Sequence, residues 1–458
     1  MTGGTGCSRT GRPPDRWLLL LAVCLAATGC ASYTQRVTKV RSAFYANQLA
    51  SAEQLVADDL RRAGGEADVL RLEQSLILLA AGRAREAEQT LRVVRDNFER
   101  LEQQDIAEST WSYLTDDQRR AYAGEDYEKV LLRALLAMSN LMHDGGDAEA
   151  YSLQLIDKQE QIIAAGADEQ GDNPKLAYQR VALAPYLRGV LREATHVDYD
   201  DAQRSFAAVV SWQPNFVPGR YDVERATHGH HSEPGHGVLY VFAFTGKGPY
   251  KEEVIEQPSS AALLIAGQIV SVLGQQTVPP NVAPVKIPRV VTQPNHVQAV
   301  GVAVNAQPCG ATATITDVSL LARQQCDALL SRTVARAVAR RVIKKGLVYG
   351  TKEAAGFAKH DVASLAVDLA GVAWEATESA DTRCWGLLPD KIQVLRVELP
   401  AGDHELRLTP LDARQTPAGA AVGRRVHIDD GANTYALAVF PTGQLVGQIL
   451  VSHSGAPR

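Results

Sequence analysis

The sequence predicts an α+β multidomain protein with a helical first half and a strand-rich second half. Between Val37 and about Phe216, apolar residues recur at spacings of three and four, the period of an amphipathic helix. From Val238 onward, the apolar runs are short, rich in β-branched residues and bounded by glycine and proline. A chain of 458 residues is too long for one ordinary core, so about two to four domains are expected.

The first 29 residues have the three-part layout of an export signal. Arginines precede an apolar run, Trp17–Ala27, and small residues then lead to Cys30. This layout resembles a bacterial lipoprotein signal, although Ala27 stands where leucine is usual and Cys24 is a rival acceptor. The resemblance implies cleavage before Cys30 and its acylation by fatty acids such as palmitate. Because Ala31 is not aspartate, it also implies an outer-membrane lipoprotein that faces the periplasm.

Charge and hydropathy narrow the expected partners. The whole chain has a net charge of −5, and loss of residues 1–29, with three arginines and one aspartate, makes it −7. Nucleic acid is therefore not an expected partner. A transmembrane anchor is the alternative reading of Trp17–Ala27, but spanning a bilayer takes about twenty apolar residues. After the signal, the apolar run that comes nearest to this length is Val362–Trp374, and it is interrupted by Asp368. The lipid is the expected membrane anchor.

The region 30–218 is predicted to consist of helical hairpins. In the clearest pair, the small residues Gly189 and Ala202 allow close approach, Phe206 fills the gap to the next hairpin, and Pro214 ends the second helix. This pattern resembles a tetratricopeptide repeat, which implies a curved stack whose concave side holds a peptide or partner helix. An ordinary helical bundle is the alternative. The expected packing residues are Gly82, Ala87, Gly189, Ala202, Phe206 and Pro214.

Residues 219–236 are predicted to form a hinge rich in histidine, glycine and proline. Imidazoles close together in sequence are weak candidates for metal ligands, and a metal or small-ligand carrier is one alternative function. A solvated hinge is favoured, because such a linker offers no partners to orient the rings. The four histidines are His228, His230, His231 and His236.

The second half is predicted to begin with a buried strand, Val238–Phe244, that ends in a turn at Gly246–Pro249. Prolines then divide the chain into short extended pieces, and Val282–Thr292 and Ala299–Asn305 are expected to be edge strands. A helical hairpin follows. Its first helix is basic and amphipathic. Its cations are expected to form the solvent-exposed face of a helix packed on the core; the alternative is that they contact anionic headgroups or an acidic partner. Its basic residues are Arg332, Arg336, Arg340 and Lys344.

The C-terminal region is predicted to form a small antiparallel module that closes as a sandwich. It begins with a hairpin around Pro400–Asp403, whose turn is similar to that of PEGA-type surface modules. The predicted divisions are 1–29 (signal), 30–218 (helical hairpins), 219–236 (hinge), 237–316 (β-rich segment), 317–380 (helical hairpin) and 381–458 (sandwich-like module).

The sequence gives little support for an enzyme, because it lacks the common catalytic motifs. The chain contains no GxSxG, HExxH, P-loop, dinucleotide-binding or EF-hand pattern. Redox and zinc-ribbon sites lack support, because no CxxC pair is present. Beyond Cys30, the three thiols of Cys309, Cys326 and Cys384 allow at most one intramolecular disulfide, and the pairing stays open. No cofactor is expected apart from the lipid on Cys30.

Three short motifs accompany the acylated cysteine: Tyr127–Val130, Gly246–Lys251 and Ala380–Trp385. Together they resemble an uncharacterised family of bacterial lipoproteins with helical-repeat N-terminal halves and strand-rich C-terminal halves. The resemblance implies a cellular location and a domain arrangement but no activity. The leading hypothesis is a membrane-anchored scaffold that binds a protein partner in the cell envelope. The alternatives are the metal or ligand carrier and an unrecognised hydrolase of an envelope polymer.

Overall fold

The computed structural model describes residues 33–107, 121–168, 171–272, 278, 283–354 and 379–452. It confirms the predicted α+β class, with a helical first half and strand-rich sheets in the second half. The helices of the first half are α1 (Tyr33–Tyr45), α2 (Leu49–Leu60), α3 (Ala67–Ala80), α4 (Ala84–Ala107), α5 (Asp126–Leu141), α6 (Ala148–Ala164), α7 (Leu183–Glu193), α8 (Tyr199–Trp212) and α9 (Pro218–Thr227).

These helices form a stack with two layers. Each helix packs against the next along the chain. The odd-numbered helices form the inner layer, where burial is most complete at α5: 14 of its 16 residues are buried, including the charged Glu128 and Arg133. The even-numbered helices form the outer layer and keep one face in solvent, so that only four of the 14 residues of α8 are buried.

The hairpin of α7 and α8 has the close approach that its small residues predict. A Cβ atom added at Gly189 would lie 2.6 Å from the ring of Phe206, so a larger residue forces a shift. Ala202 and Phe206 are fully buried, and α8 ends at Trp212, two residues before Pro214. The ring of Phe206 also lies 6.0 Å from that of Tyr186.

The other two packing residues lie at the start of α4. Ala87 is fully buried on the inner side of this helix. Gly82 occupies the turn between α3 and α4 with a φ of 85°, a left-handed conformation that favours glycine. An added Cβ there would meet the side chain of Gln448, so this turn contacts the C-terminal part of the chain.

The strands form three sheets. The strands are β1 (His236–Thr245), β2 (Tyr250–Glu256), β3 (Val285–Val291), β4 (Ala299–Val304), β5 (Gln307–Ala311), β6 (Ala313–Asp317), β7 (Lys391–Pro400), β8 (Gly402–Leu411), β9 (Val422–Ile428), β10 (Asn433–Phe440) and β11 (Val446–Val451). The central sheet has the order β11-β10-β1-β7-β6, the outer sheet has the order β5-β4-β8-β9, and β2 pairs with β3 alone. Within the named strands, β1 and β10 run parallel and the other pairs are antiparallel.

Strand β1 joins the two halves of the chain. Successive side chains of a strand point to opposite faces, and both faces of β1 are buried. Tyr240 and Phe242 belong to the core shared with the helices, whereas Leu239 and Val241 belong to the core shared with the outer sheet. The central sheet therefore lies between the inner helices and the outer sheet, and β1 of the 237–316 segment lies between strands of the 381–458 segment.

A smaller core lies beside this body. It is formed by β2, β3, α10 (Ser260–Val272) and α12 (Leu330–Ala354), and α11 (Val318–Ala328) precedes α12. Val334 and Val338 of the basic helix are buried there. Two of its arginines bind backbone carbonyl oxygens: Arg332 Nη1 lies 2.9 Å from Gly166 O, and Arg341 Nη1 lies 2.8 Å from Pro284 O. The second helix predicted for this hairpin lies outside the described residues.

Two local expectations need correction. The segment Ala299–Asn305 was expected to be an edge strand, but β4 pairs with β5 on one side and β8 on the other. Residues 219–236 were expected to form a solvated hinge, but α9 extends to Thr227, with Pro218 in its first turn where a missing N–H costs nothing, and His231 is buried. Among the helices of the described residues, none has both the length and the apolar character needed to cross a bilayer.

Candidate functional site: a buried polar cluster

The three motifs that accompany the predicted lipoprotein signal come together in space. They meet where α1, α3 and α5 contact the loop that precedes β7. Side chains from these elements form a largely buried group of ion pairs and hydrogen bonds, which we call the polar cluster. Its charged members are Arg41, Glu73, Glu125, Glu128, Lys251, Asp381 and Arg383.

Glu73 links the helical stack to the loop before β7. Its side chain is fully buried, and its Oε1 accepts from Arg41 Nε at 2.9 Å and from the backbone N–H of Gly386 at 3.1 Å. Its Oε2 accepts from the backbone N–H of Leu387 at 2.9 Å. Arg41 also donates to the carbonyl oxygen of Cys384 at 2.8 Å. Although burial alone would lower the pKa of Arg41, the Glu73 carboxylate raises it.

Glu128 holds the same loop from α5. Its Oε1 accepts from the backbone N–H of Trp385 at 2.7 Å and from the hydroxyl of Tyr127 at 3.2 Å. Its Oε2 accepts from the hydroxyl of Tyr122 and from the backbone N–H of Glu125 at 3.1 Å. Burial, followed by the charge of Glu125, raises the pKa of Glu128.

Two cations complete the cluster. Lys251 is 9% exposed and forms an ion pair with Glu125. Burial alone would lower the pKa of Lys251, but the charges of Glu125 and Asp381 raise it. Arg383 pairs with Asp381 at 2.7 Å and donates to the carbonyl oxygen of Gly65 at 3.1 Å.

This arrangement is suited to holding the loop in place. Each carboxylate oxygen of Glu73 and Glu128 already accepts a hydrogen bond from the protein itself. The thiol of Cys384 is buried beside them, and burial raises its pKa, which disfavours the nucleophilic thiolate. The chemistry of the cluster is therefore structural: it joins the inner helices to the central sheet.

A second buried ion pair joins the last helices to β1. Arg225 of α9 donates to both carboxylate oxygens of Glu193 in α7, at 2.8 and 3.0 Å, and to Asp222 at 2.8 Å. The hydroxyl of Tyr240 in β1 lies 3.4 Å from Glu193. Burial raises the pKa of Glu193, while Arg225 opposes this change.

The four candidate metal ligands occupy different environments. His231 is 1% exposed, and its Nε2 lies 2.9 Å from Asn433 Oδ1, while its Nδ1 lies 2.9 Å from Ser232 Oγ. The Nδ1 atom of His228 lies 2.8 Å from Glu224 O, and that of His236 lies 3.4 Å from Pro234 O. The ring of His230 lies 3.8 Å from Glu233. Across the residues that the structure describes, no group of three or more histidine, cysteine, aspartate or glutamate side chains is arranged to hold a metal ion.

One cleft, of about 260 Å³ including open solvent, lies between α5, α6 and α11. Gln159 lines it and accepts from the backbone N–H of Val181 at 2.7 Å, while Gln325 accepts from that of Tyr127 at 2.6 Å. Cys309, Cys326 and Cys384 are unpaired within the described part of the chain. Cys30 lies outside it.

The three sequence motifs contribute side chains to the polar cluster, but their pattern did not predict its ion pairs. Glu73 and Arg41 were not among the predicted site residues. The signal was present for Glu73, which is a charged residue inside a helix whose neighbours Leu72 and Leu76 are apolar. A carboxylate in such surroundings needs a partner when it is buried. Comparisons with family models, curated proteins and solved structures find no match to this chain.

Proposed function

We propose that this protein is a lipid-anchored scaffold of the bacterial cell envelope. In this proposal Cys30 is acylated, the chain is held at the outer membrane, and it faces the periplasm. Its helical stack binds a protein partner there. The layout of the first 30 residues and the succession of helical hairpins support the proposal.

One structural observation directs the proposal to a particular surface. The inner helices α3, α5 and α7 pack on the central sheet and on the loop before β7, so that side of the stack is filled by the chain itself. A partner must then use the outer helices. This differs from a repeat array whose concave side takes up a peptide.

The outer helices α4 and α6 each expose an apolar side chain to solvent. Arg95 of α4 reaches Gln154 of α6 at 3.3 Å, so the two helices lie side by side. Val93 on α4 is 47% exposed, and Leu153 on α6 is 42% exposed. Covering such apolar side chains stabilises a complex by about 25 cal/mol per Å². We infer that a partner contacts this pair.

The test is cross-linking in cells that carry the full-length protein. The Val93→Glu and Leu153→Glu double variant should reduce the yield of the cross-linked partner by about tenfold, because two apolar contacts together contribute more than about 1.4 kcal/mol. Ile255→Glu is the matched control, since Ile255 is 72% exposed on β2, away from these helices. Retention of the partner by the double variant would contradict the proposed surface. The absence of any partner would contradict the scaffold itself.

A further inference from the structure

The chain leaves almost no spacer between the predicted acylation site and the folded body. Cys30 precedes Tyr33, the first residue of α1, by three positions. An extended chain gains at most about 3.6 Å per residue, so the Cα atoms of the two residues lie within about 11 Å of each other. The headgroup layer of a bilayer is itself roughly 5–7 Å thick on each side. The short tether exists only if Cys30 is acylated, as the proposed function requires.

The structure shows which surface surrounds Tyr33. Arg36, in the first turn of α1, pairs with Asp59 at 3.4 Å and with Glu66. The end of α2 and the turn that follows it therefore lie beside the start of α1. Arg383 contacts the same turn through Gly65 O. We call the start of α1, residues 58–66 and residues 381–382 the proximal surface.

The charges of the proximal surface largely pair with one another. Arg36 pairs with two carboxylates of the surface, Arg61 pairs with Asp58, and Asp381 pairs with the buried Arg383. Attraction to anionic lipids requires an excess of cations, each contributing about 1 kcal/mol near the membrane. Paired charges supply little of this attraction.

We propose that the proximal surface rests on the lipid headgroups, and that the short tether rather than charge attraction holds it there. The partner of this surface is the headgroup layer. The outer face of the outer sheet then lies farther from the headgroups. Packed sheets are about 10 Å apart, so two sheet layers, roughly 20 Å, separate that face from the helices. Arg425 lies on that face, opposite Glu405 in the register of β8 and β9.

Energy transfer to a headgroup-labelled lipid tests this orientation. The acylated full chain is reconstituted in phosphatidylcholine vesicles with one dye, on Arg62→Cys or on Arg425→Cys. Both arginines are exposed, so the two sites are matched. Cys309→Ser and Cys326→Ser remove competing thiols. We expect transfer to be at least about twofold stronger from position 62, given the thickness of two sheet layers.

Three further results decide the proposal. An insertion of about 12 glycine and serine residues after Ala31 adds a reach of roughly 20 Å and should bring the two transfer values together. Equal transfer without the insertion, or no effect of the insertion, would overturn the orientation. Replacement of some phosphatidylcholine by phosphatidylglycerol should leave the values unchanged, and a rise at position 62 would show that charge attraction holds the surface.

Vesicle flotation and the mass of the N-terminal peptide separate this inference from the proposed function. A chain that does not float and keeps an unmodified Cys30 refutes the acylation. A chain that floats with a lipid on Cys30 but shows equal transfer from both positions refutes the orientation alone.

Discussion

Replacement of Glu73 by glutamine should strongly destabilise the protein. Gln has one acceptor oxygen, whereas Glu73 uses both of its oxygens, so an amide N–H₂ would face either the N–H of Leu387 or the donors of Gly386 and Arg41. Arg41 would also lose the charge that compensates its burial. Breaking a buried ion pair by removal of one partner costs about 3–5 kcal/mol. We expect Glu73→Gln to lower the free energy of unfolding by that amount.

Urea unfolding followed by tryptophan fluorescence measures this loss, since Trp385 is fully buried beside the cluster. Glu53→Gln is the matched control: Glu53 also pairs with an arginine, Arg83 at 2.6 Å, but the two side chains are 34% and 40% exposed. Exposed pairs contribute about 0–1 kcal/mol. If Glu73→Gln costs no more than Glu53→Gln, the polar cluster does not join the two halves as we have argued.

Two other perturbations test the packing of the stack and the burial of His231. Gly189→Ala should cost about 1–3 kcal/mol in thermal unfolding, because its Cβ would lie 2.6 Å from Phe206, whereas Gly64→Ala, with no atom within 4 Å, should be neutral. An equal effect at both glycines would exclude tight packing. Burial lowers the pKa of His231 to about 4, so the folded state binds fewer protons than the unfolded state between this value and about 6.5. Stability should therefore fall in this window as the pH falls, by at most about 3 kcal/mol. His231→Gln should show a shallower pH dependence, and an unchanged slope would argue against a neutral buried ring.

The sequence predicts hairpins of consecutive helices well, because the residues that pack between the two helices are close together along the chain. The spacing of Gly189, Ala202 and Phe206 predicts a tight hairpin, and these residues pack in one. Other elements carry no such signal. Helix α10 is apolar on most sides and includes Gly267, so its residues show no clear helical period. Its burial depends on α12, which is far away in sequence.

Pairing between segments far apart in sequence explains the remaining differences between the sequence predictions and the structure. Nothing near Ala299–Val304 indicates that β8 covers its second edge. In the same way, the residues of β1 predict a strand buried on both faces, but they do not indicate that β7 and β10 are its neighbours. The role of Glu73 was hidden for a related reason, since its acceptor function depends on backbone groups more than 300 residues away.

The position of β1 also has a consequence for synthesis. The strands on either side of β1 are synthesised long after it, since Val238 pairs with Glu398 on one side and with Asn433 on the other. Contacts between residues so distant in sequence form slowly, because a long loop must close first. Until β10 emerges, the apolar inner helices lack their cover, and such exposed surface promotes aggregation. A premature stop codon before β10 should therefore give an insoluble product rather than a shorter functional protein.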